Sequence, residues 1–357
     1  MTGHLELVQP HTARAEQIWC ALERLARPSY FLTWGWISNW LAMLPDDEAP
    51  QLAVIRQAGA LAGAFFLGRR RLLRHHLVPS RAAFLNATGD PRYDELCIEH
   101  NGIVGRGCSL ATLVETLPGD WDELFLPGVD RAQFPDLAVP HGYHARVEFE
   151  IPSPYVDLAR VRAAGDYLRV VSGNTRSQLR RAQRRVGPRT LEVAASLDEA
   201  TTIYNELVAL HTASWHERGE PGAFADPWFD QFHRRLIAER FTHGEIQLVR
   251  LRAGAATLGC LYNFVSSGHV AFYQSGLATW EDPVVKPGLL CHAAAIARCA
   301  EEGHAVYDLL GGHARYKASL ATDETPLAWL RVQRTRLRFS LEDRVRSWKR
   351  ALATVLA

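Results

Sequence analysis

The sequence predicts an α/β protein with mixed α+β sheets, arranged as two domains. Three observations carry that reading. Residues 245–277, EIQLVRLRAGAATLGCLYNFVSSGHVAFYQSGL, alternate apolar and polar side chains and break at Ala253–Gly254 and Ser266–Ser267–Gly268, as three antiparallel strands joined by hairpins would. A Pro-rich loop, an Ala-rich segment from Gly288 to Glu302 stopped by Gly303, and the short apolar run HAVYDLLGG follow. The order is therefore strand, loop, helix, strand, and a crossover of that length makes the flanking strands parallel. Third, Pro127, Pro135, Pro140, Pro152 and Pro154 punctuate the middle of a chain of 357 residues, which is long enough for two ordinary domains. The expected boundaries are 1–150, 151–340 and a closing helix over 341–357.

The elements follow in order. Residues 11–26 place Ile18, Leu22 and Leu25 at helical spacing, with Pro28 ending the segment. SYFLTWGWISNWLAML brings Trp34, Trp36 and Trp40 together; such a cluster stacks on a base or sugar in some proteins, but more often buries aromatic area against a sheet. QLAVIRQAGALAGAFFLGRRRLL reads as a hairpin around Ala58–Gly59, with Arg69, Arg70, Arg71 and Arg74 at a solvated strand end. A short strand is expected near Glu95–Ile98, and LATLVETLPGDWDELFLPGV reads as helix then strand. A linking strand near Ala145–Ile151 crosses to the second half. There QLRRAQRR is helical, and Ser196 with Glu199 forms a capping box for a helix whose buried stripe is Ile203, Leu207 and Leu210. Asp226–Pro227 opens a helix with Phe229, Phe232, Leu236 and Ile237 inward. PLAWLRVQ reads as a final strand, and Ser340 with Asp343 caps the closing helix carrying Val345, Trp348 and Leu352.

Composition narrows the function classes. A net charge of +1 argues against a polyanion partner recognised by global charge, so any basic surface is local. Such a surface is expected over Arg160–Arg189, where Arg180, Arg181, Arg184 and Arg185 crowd one helix: either a phosphate-binding face or a solvated one. The only lysines are Lys286, Lys317 and Lys349. The cysteines (Cys20, Cys97, Cys108, Cys260, Cys291, Cys299) have no metal-ligand spacing and read as reduced core thiols. No metal site is expected, because His75–His76 and His141/His144 lack a third ligand. No continuous apolar leader or 18-residue apolar span occurs, so a cytoplasmic chain without a membrane span is expected. There is no G-x-G-x-x-G, P-loop, G-x-S-x-G or H-E-x-x-H.

Two places look chemical. The start of the helix at Lys286–Pro287–Gly288 offers unpaired N–H groups, a positive dipole end and a cation; the same residues also suit an ordinary helix start with one surface Lys. His211, Trp215, His216 and Arg218 end a helix and face the loop EPGAFADP, a placement suited to a substrate pocket.

A resemblance adds to this. From Thr175 to Lys317, the stretches NTRSQLRRAQRRV, LHTASWHERGEPGAFADPWF, GLATWEDPVVKPGLLCHAAAIA and VYDLLGGHARYK resemble the acetyltransferase family associated with bacterial cellulose-biosynthesis genes, a branch of the GNAT superfamily. FLTWGWISNWL, LAVIRQAGALAGAFFLGRRR and GDPRYDELCIEHNGIV extend the likeness to the N-terminal half. The pattern is also similar to the Fem-type aminoacyl-tRNA transferases, which carry two GNAT-like domains. The resemblance implies two tandem GNAT-like domains, the C-terminal one holding the strand–loop–helix–strand acyl-donor site. It implies acyl transfer from a coenzyme A thioester or an acyl carrier to the amine of a small molecule. An aminoacyl-tRNA donor is the alternative, and a non-catalytic GNAT-like binding scaffold is the alternative of another class.

Carried onto this chain, Tyr316 is placed to protonate the leaving thiolate and Lys317 to put a cation at the transfer centre. Asp308 stands as a base or as a polar residue fixing a turn; His313 and His211 are alternative bases. Lys286, Pro287, Gly288, Leu289, Tyr273, Gln274 and Ser275 would hold the donor. His211, Trp215, Arg218 and the Arg180, Arg181, Arg184 and Arg185 face would meet the acceptor or a tRNA. One departure stands out: where most GNAT enzymes have Q/R-x-x-G-x-G/A around the coenzyme A pyrophosphate, this chain reads EDPVVKPGLL, with one Gly.

Overall fold

The computed structural model describes residues 4–74, 77–96, 98–106 and 108–339. The pair His75–His76, Cys97, and the closing helix expected beyond Ser340 lie outside the described residues. The chain forms two compact units that do not follow its order. The first takes the residues up to Trp34, Leu44–Glu150 and those from Leu327; the second takes Gly35–Met43 and Ile151–Pro326. The final strand expected in the C-terminal domain thus belongs mainly to the first unit, and a piece of the Trp-rich N-terminal segment belongs to the second.

In the first unit, β1 (His4–Val8), α1 (Ala13–Ala26), α2 (Trp34–Met43, most of which joins the second unit), β2 (Gln51–Gln57), β3 (Ala60–Arg74), β4 (Val78–Leu85), α3 (Pro91–Asp94), β5 (Val104–Gly105), α4 (Leu110–Thr116) and β6 (Glu123–Asp130) follow in order. The strands run β1-β2-β3-β4-β6 and then β13 (Asp323–Arg334), with β5 on β3. All pairings are antiparallel except β4 with β6, which run parallel from Ala82↔Glu123 to Phe84↔Phe125. The core gathers Phe65, Leu67, Leu85, Leu113, Leu124, Leu126 and Leu330.

Past the last β4–β6 pair, one side chain stitches the two strands together. The Asn101 amide, fully buried, donates to Leu85 O (3.1 Å) and Pro127 O (2.8 Å), and its carbonyl accepts from the Asn86 amide (2.8 Å). Its backbone also bridges to β6, with Asn101 N donating to Gly128 O at 2.9 Å.

Three expectations for this half need correction. α1 buries Ala15, Trp19 and Leu22, while Leu25 is 83% exposed: the i, i+4, i+7 stripe starts three residues earlier, and the Trp19 indole anchors it on Leu32 O at 3.0 Å. The arginine run is a solvated strand end only in part: Arg69 and Arg71 are exposed, Arg70 and Arg74 are engaged. β3 stays paired through Arg74, Arg70 bridges Glu48 and Asp90, and Arg74 pairs with the buried Glu123. No strand forms at Glu95 or Leu96; Asp90 caps a helical turn with Pro91 at its first position, and Asp94 folds back to bind Thr88 and Gly89.

β7 (Tyr143–Asp157) passes from the first unit to the second. The second unit continues with α5 (Leu158–Ala164), α6 (Gly173–Val186), β8 (Thr190–Val193), α7 (Leu197–His216), α8 (Pro227–Arg240), β9 (Ile246–Ala253), β10 (Ala256–Ser266), β11 (His269–Leu277), α9 (Pro287–Glu301), β12 (Val306–Asp308) and α10 (Arg315–Leu320). Its strands run β8-β9-β10-β11-β12, with the C-terminal half of β7 beside β12. The hairpins turn at the expected glycines, with Gly254 and Gly268 at φ 58° and 81°. β11 and β12 are parallel, and α9 crosses between them.

The core has α9 on one sheet face, where Leu290, Ala295, Ile296 and Cys299 meet Leu258, Leu261, Val270 and Phe272. On the other face, α2 and α8 build an aromatic layer. Trp36, fully buried, lies edge-on to Phe232 (4.8 Å) and Phe264 (5.4 Å), and the Asn39 amide donates to Phe232 O at 3.2 Å. The tryptophan cluster is therefore core for Trp36 and Trp40, and Trp34 is half-buried.

Candidate active site

β11 and β12 pair over three residues only, His269↔Val306 to Ala271↔Asp308. Beyond Asp308 the chain keeps to β7: Leu309 N donates to Pro154 O and Gly312 N to Pro152 O, both at 2.9 Å. β11 instead runs on to Leu277 along β10. The two strands therefore part, and the edge of β11 past Phe272 faces a gap. A bulge sits at the parting, where Tyr262 opposes Gln274 but Asn263 opposes Phe272, leaving Tyr273 as the extra residue.

The ladder shows which groups line that edge. Ala278 N donates to Leu258 O at 3.0 Å, so 258 and 278 are a hydrogen-bonded pair. Antiparallel pairs alternate, so the N–H and C=O of Ser275 and Leu277 turn away from β10, toward the side that β12 has left.

The β12 wall carries Lys317 and Tyr316. Lys317 Nζ donates to Leu310 O (3.1 Å) and Gly311 O (2.7 Å), holding the turn in which Leu310 and Gly312 take φ 59° and 137°. Tyr316 lies flat over His292 of α9, with ring centroids 5.7 Å apart, and burial pushes its hydroxyl up to about 12. His292 is fully enclosed: Phe272 meets it edge-on at 4.4 Å and Tyr307 Oη lies 3.2 Å from Nδ1. Burial, aided by the Lys317 charge, lowers its pKa to about 3, so the ring is neutral. Asp308 Oδ1 accepts from Leu310 N (2.7 Å) and Ser153 Oγ (3.2 Å) at the start of the turn. His313 is exposed.

The expected donor residues separate into two places. Lys286, Pro287, Gly288 and Leu289 form the first turn of α9. Lys286 is exposed and reaches α6, donating to Gln178 Oε1 at 2.6 Å. Pro287 has no N–H, so this turn offers the N–H groups of Gly288 and Leu289 with the helix dipole and one cation. Leu277 lies against it, its Cδ1 being 3.0 Å from where a Cβ on Gly288 would stand. These residues suit an anionic group but provide fewer donors than a glycine-rich phosphate loop. Tyr273 is turned away from them, to the opposite face. It packs on α8, with its hydroxyl 3.3 Å from Nε2 of the fully buried His233. Gln274 and Ser275 are half-buried on the β11 edge.

His211 stands at that edge, on the last turns of α7. Its Nδ1 donates to the Ser275 carbonyl at 3.0 Å, since a carbonyl only accepts. Its Nε2 is buried and has no hydrogen-bond partner among the described residues. Burial, with Arg218 adding to it, lowers the ring's pKa against the Ser275 bond, which raises it. Trp215 (5.7 Å) and Phe224 (4.9 Å) pack on the ring, and Arg218 lies over Trp215 at 5.4 Å. Gly222 lies beside the bare nitrogen: a Cβ there would lie 3.1 Å from Nε2 and 3.0 Å from Trp215 Cγ, and φ is 74°. The loop is tied to the end of β11 by Thr279, whose hydroxyl donates to Glu217 at 3.0 Å.

On α6, Leu179 and Ala182 are buried while Arg180, Arg181, Arg184 and Arg185 are exposed. Arg185 pairs with Asp282 of the loop before α9; Arg180, Arg181 and Arg184 make no ion pair among the described residues. The basic helix thus borders the first turn of α9 through Arg185 and through Lys286–Gln178. Residue reasoning passed over His292, which reads as one more interior position of an Ala-rich helix. Among the described residues, no group of three or more metal-binding side chains assembles, and no helix is long and apolar enough to cross a membrane.

Residues 171–318 match the family described as acetyltransferase (GNAT) domain. The chain carries a GNAT-like fold. No curated protein sequence matches it. Among solved structures, FemX is similar over 90% of this chain and 96% of its own, at 10% identity and TM-score 0.56. A Bacteroides thetaiotaomicron protein of unknown function is similar over 92% and 100%, at 11% identity and TM-score 0.57. The L-PGS of Bacillus licheniformis is similar over 90% and 92%, at 11% identity and TM-score 0.50. At these identities the likeness is one of fold.

Proposed function

We propose that the chain is an N-acyltransferase that moves an acyl group from an activated ester to the amine of a small molecule. One observation carries this reading: within the matched GNAT region β11 and β12 part just past Phe272, with Tyr316 and Lys317 on α10 after β12 and the Ser275 carbonyl of the β11 edge holding the His211 ring. Holding donor and acceptor in such a gap supplies much of the rate by orientation. Lys317 suits the developing oxyanion, and the high pKa of Tyr316 keeps its proton available for the leaving atom. Asp308 is not assigned the base, because its Oδ1 is engaged by the turn.

The donor we propose is an acyl thioester of coenzyme A or of an acyl carrier, with its anionic part at Lys286, Gly288 and Leu289. The second reading is an aminoacyl-tRNA donor. It is favoured by the unpaired Arg180, Arg181 and Arg184 on α6, next to the same helix start. The cellulose-associated family and a cytoplasmic setting belong to the proposal as well.

Thermal unfolding with coenzyme A, acetyl-coenzyme A and bulk aminoacylated tRNA, each titrated separately, tests these readings, because a ligand of the folded state alone raises the midpoint. A rise with coenzyme A that Lys286→Ala diminishes supports the thioester donor. A salt-sensitive rise with tRNA alone, lost when Arg180, Arg181 and Arg184 become Ala, establishes the other. A midpoint indifferent to all three removes both donors and leaves a carrier-bound acyl group or a binding scaffold.

A further inference from the structure

We propose that His211 is the general base that takes the proton from the acceptor amine, through the Nε2 beside Gly222 and Trp215. The inference rests on the acyltransferase reading and deepens it.

The geometry fixes the tautomer. Ser275 O can only accept, so Nδ1 holds the ring proton and Nε2 keeps its lone pair. That nitrogen is buried, and no described residue bonds it, although a buried polar atom without a partner is uncommon. His211 as a whole is 5% exposed. The Ser275 carbonyl that orients the ring belongs to the β11 edge facing the gap, so the base is aligned by the strand that would flank the acyl group. A glycine, left-handed at φ 74°, stands where any Cβ would crowd Nε2. His292 and His233 do not compete. His292 lies beneath Tyr316, and His233 is enclosed in the aromatic layer on the other face from α9. The charge that bears on His211 is Arg218, which disfavours the imidazolium, and the turn before α8 presents the ring of Phe224, backed by Phe229.

The chemistry balances. An ammonium acceptor gives one proton to Nε2, and the freed nitrogen lone pair attacks the acyl carbonyl carbon. The C–N bond forms and the carbon–sulfur or carbon–oxygen bond to the donor breaks. The leaving atom takes a proton from Tyr316, the second N–H proton of the new amide replaces it, and His211 returns its own proton to solvent.

The test compares two classes of amine in wild type and His211→Gln, with acetyl-coenzyme A and bulk aminoacylated tRNA as donors. Primary alkylamines are charged at neutral pH and need a base; O-methylhydroxylamine is already neutral and does not. His211→Gln is expected to lose about 10²- to 10⁴-fold in kcat/KM with alkylamines and to keep its rate with O-methylhydroxylamine. Equal loss with both amines, or no loss with either, overturns the proposal. If wild type acylates neither class from either donor, the acyltransferase reading loses both of these donors, and the ring is then judged by itself. Nitrogen NMR of His211, assigned by its absence in the variant, must show a neutral ring protonated at Nδ1. A proton on Nε2, or a charged ring at neutral pH, overturns the proposal independently of any activity.

Discussion

Each unit contains one parallel strand pair, β4/β6 in the first and β11/β12 in the second, and the two are finished in opposite ways. Past β4/β6, Asn101 spends its amide on a carbonyl from each strand and its own carbonyl on Asn86. Past β11/β12 the strands part, and the carbonyl at the comparable edge, that of Ser275, is met by a histidine whose second nitrogen is left bare. The same local architecture is sealed in one unit and chemically open in the other. A fold alone therefore does not make a site; what fills the space between two parting strands decides.

Four experiments press on this contrast. The largest effect is expected from Lys317→Ala, which removes the cation from the open gap: kcat should fall by about 10²- to 10³-fold with little change in melting temperature. An unchanged kcat would mean that Lys317 only braces the turn at Leu310 and Gly311. Asn101→Ala leaves Leu85 O, Pro127 O and the Asn86 amide short of partners, and should cost about 2–3 kcal/mol in denaturant unfolding. Transfer per folded molecule should not change, and a loss of transfer there would show that the sealed pair takes part.

Acid should separate the units. His233 and His292, both in the second, are depressed from 6.5 to about 3 by burial. A depressed histidine contributes fully above its unfolded pKa and loses that contribution as pH falls below it. Each ring should cost about 1.4 kcal/mol per pH unit, from about pH 6.5 down to about pH 3. In the first unit, Asp90 is lowered mainly by the Arg92 bond, and Asp122 is lowered by Arg81, Arg338 and Arg336 against the raising effect of burial. Those contributions vanish only below the ordinary carboxylate range, near pH 4. Hydrogen exchange should accordingly show β10 and β11 loosening at a higher pH than β3 and β4; the reverse order would contradict the sign. The smallest effect belongs to Lys286→Ala, expected to weaken an anionic donor about tenfold, roughly 1.4 kcal/mol, and measurable by titration.

Much of the second unit was legible because its signals are local. Hairpin glycines, the loop before Pro287 and the stop at Gly303 each act within a few residues, and the strand–loop–helix–strand order follows from them. The capping box was also local, with Ser196 accepting from Glu199 N while Glu199 binds Ala195 N. What sequence could not show depends on distant partners. Asn101 gains its meaning from Leu85 and Pro127, and His292 from Tyr316 and Lys317. Tyr273 was assigned to the donor because it ends a strand, yet its side chain faces α8. His211 was visible as a helix end facing a loop, but its bare nitrogen rests on a carbonyl 64 residues away in sequence.

The exchange of segments between units bears on how the chain is made. Gly35–Met43 leaves a ribosome well before Phe232 and Phe264, so Trp36 must wait for both aromatic partners. Leu327 and Ala328, synthesised long after β6, pair with its Asp130 and Val129. Each unit is completed by a segment made long after its first one, so neither holds all its parts when only residues up to Glu150 have emerged. Cutting the gene between Glu150 and Ile151 would yield two fragments, each missing a piece held by the other.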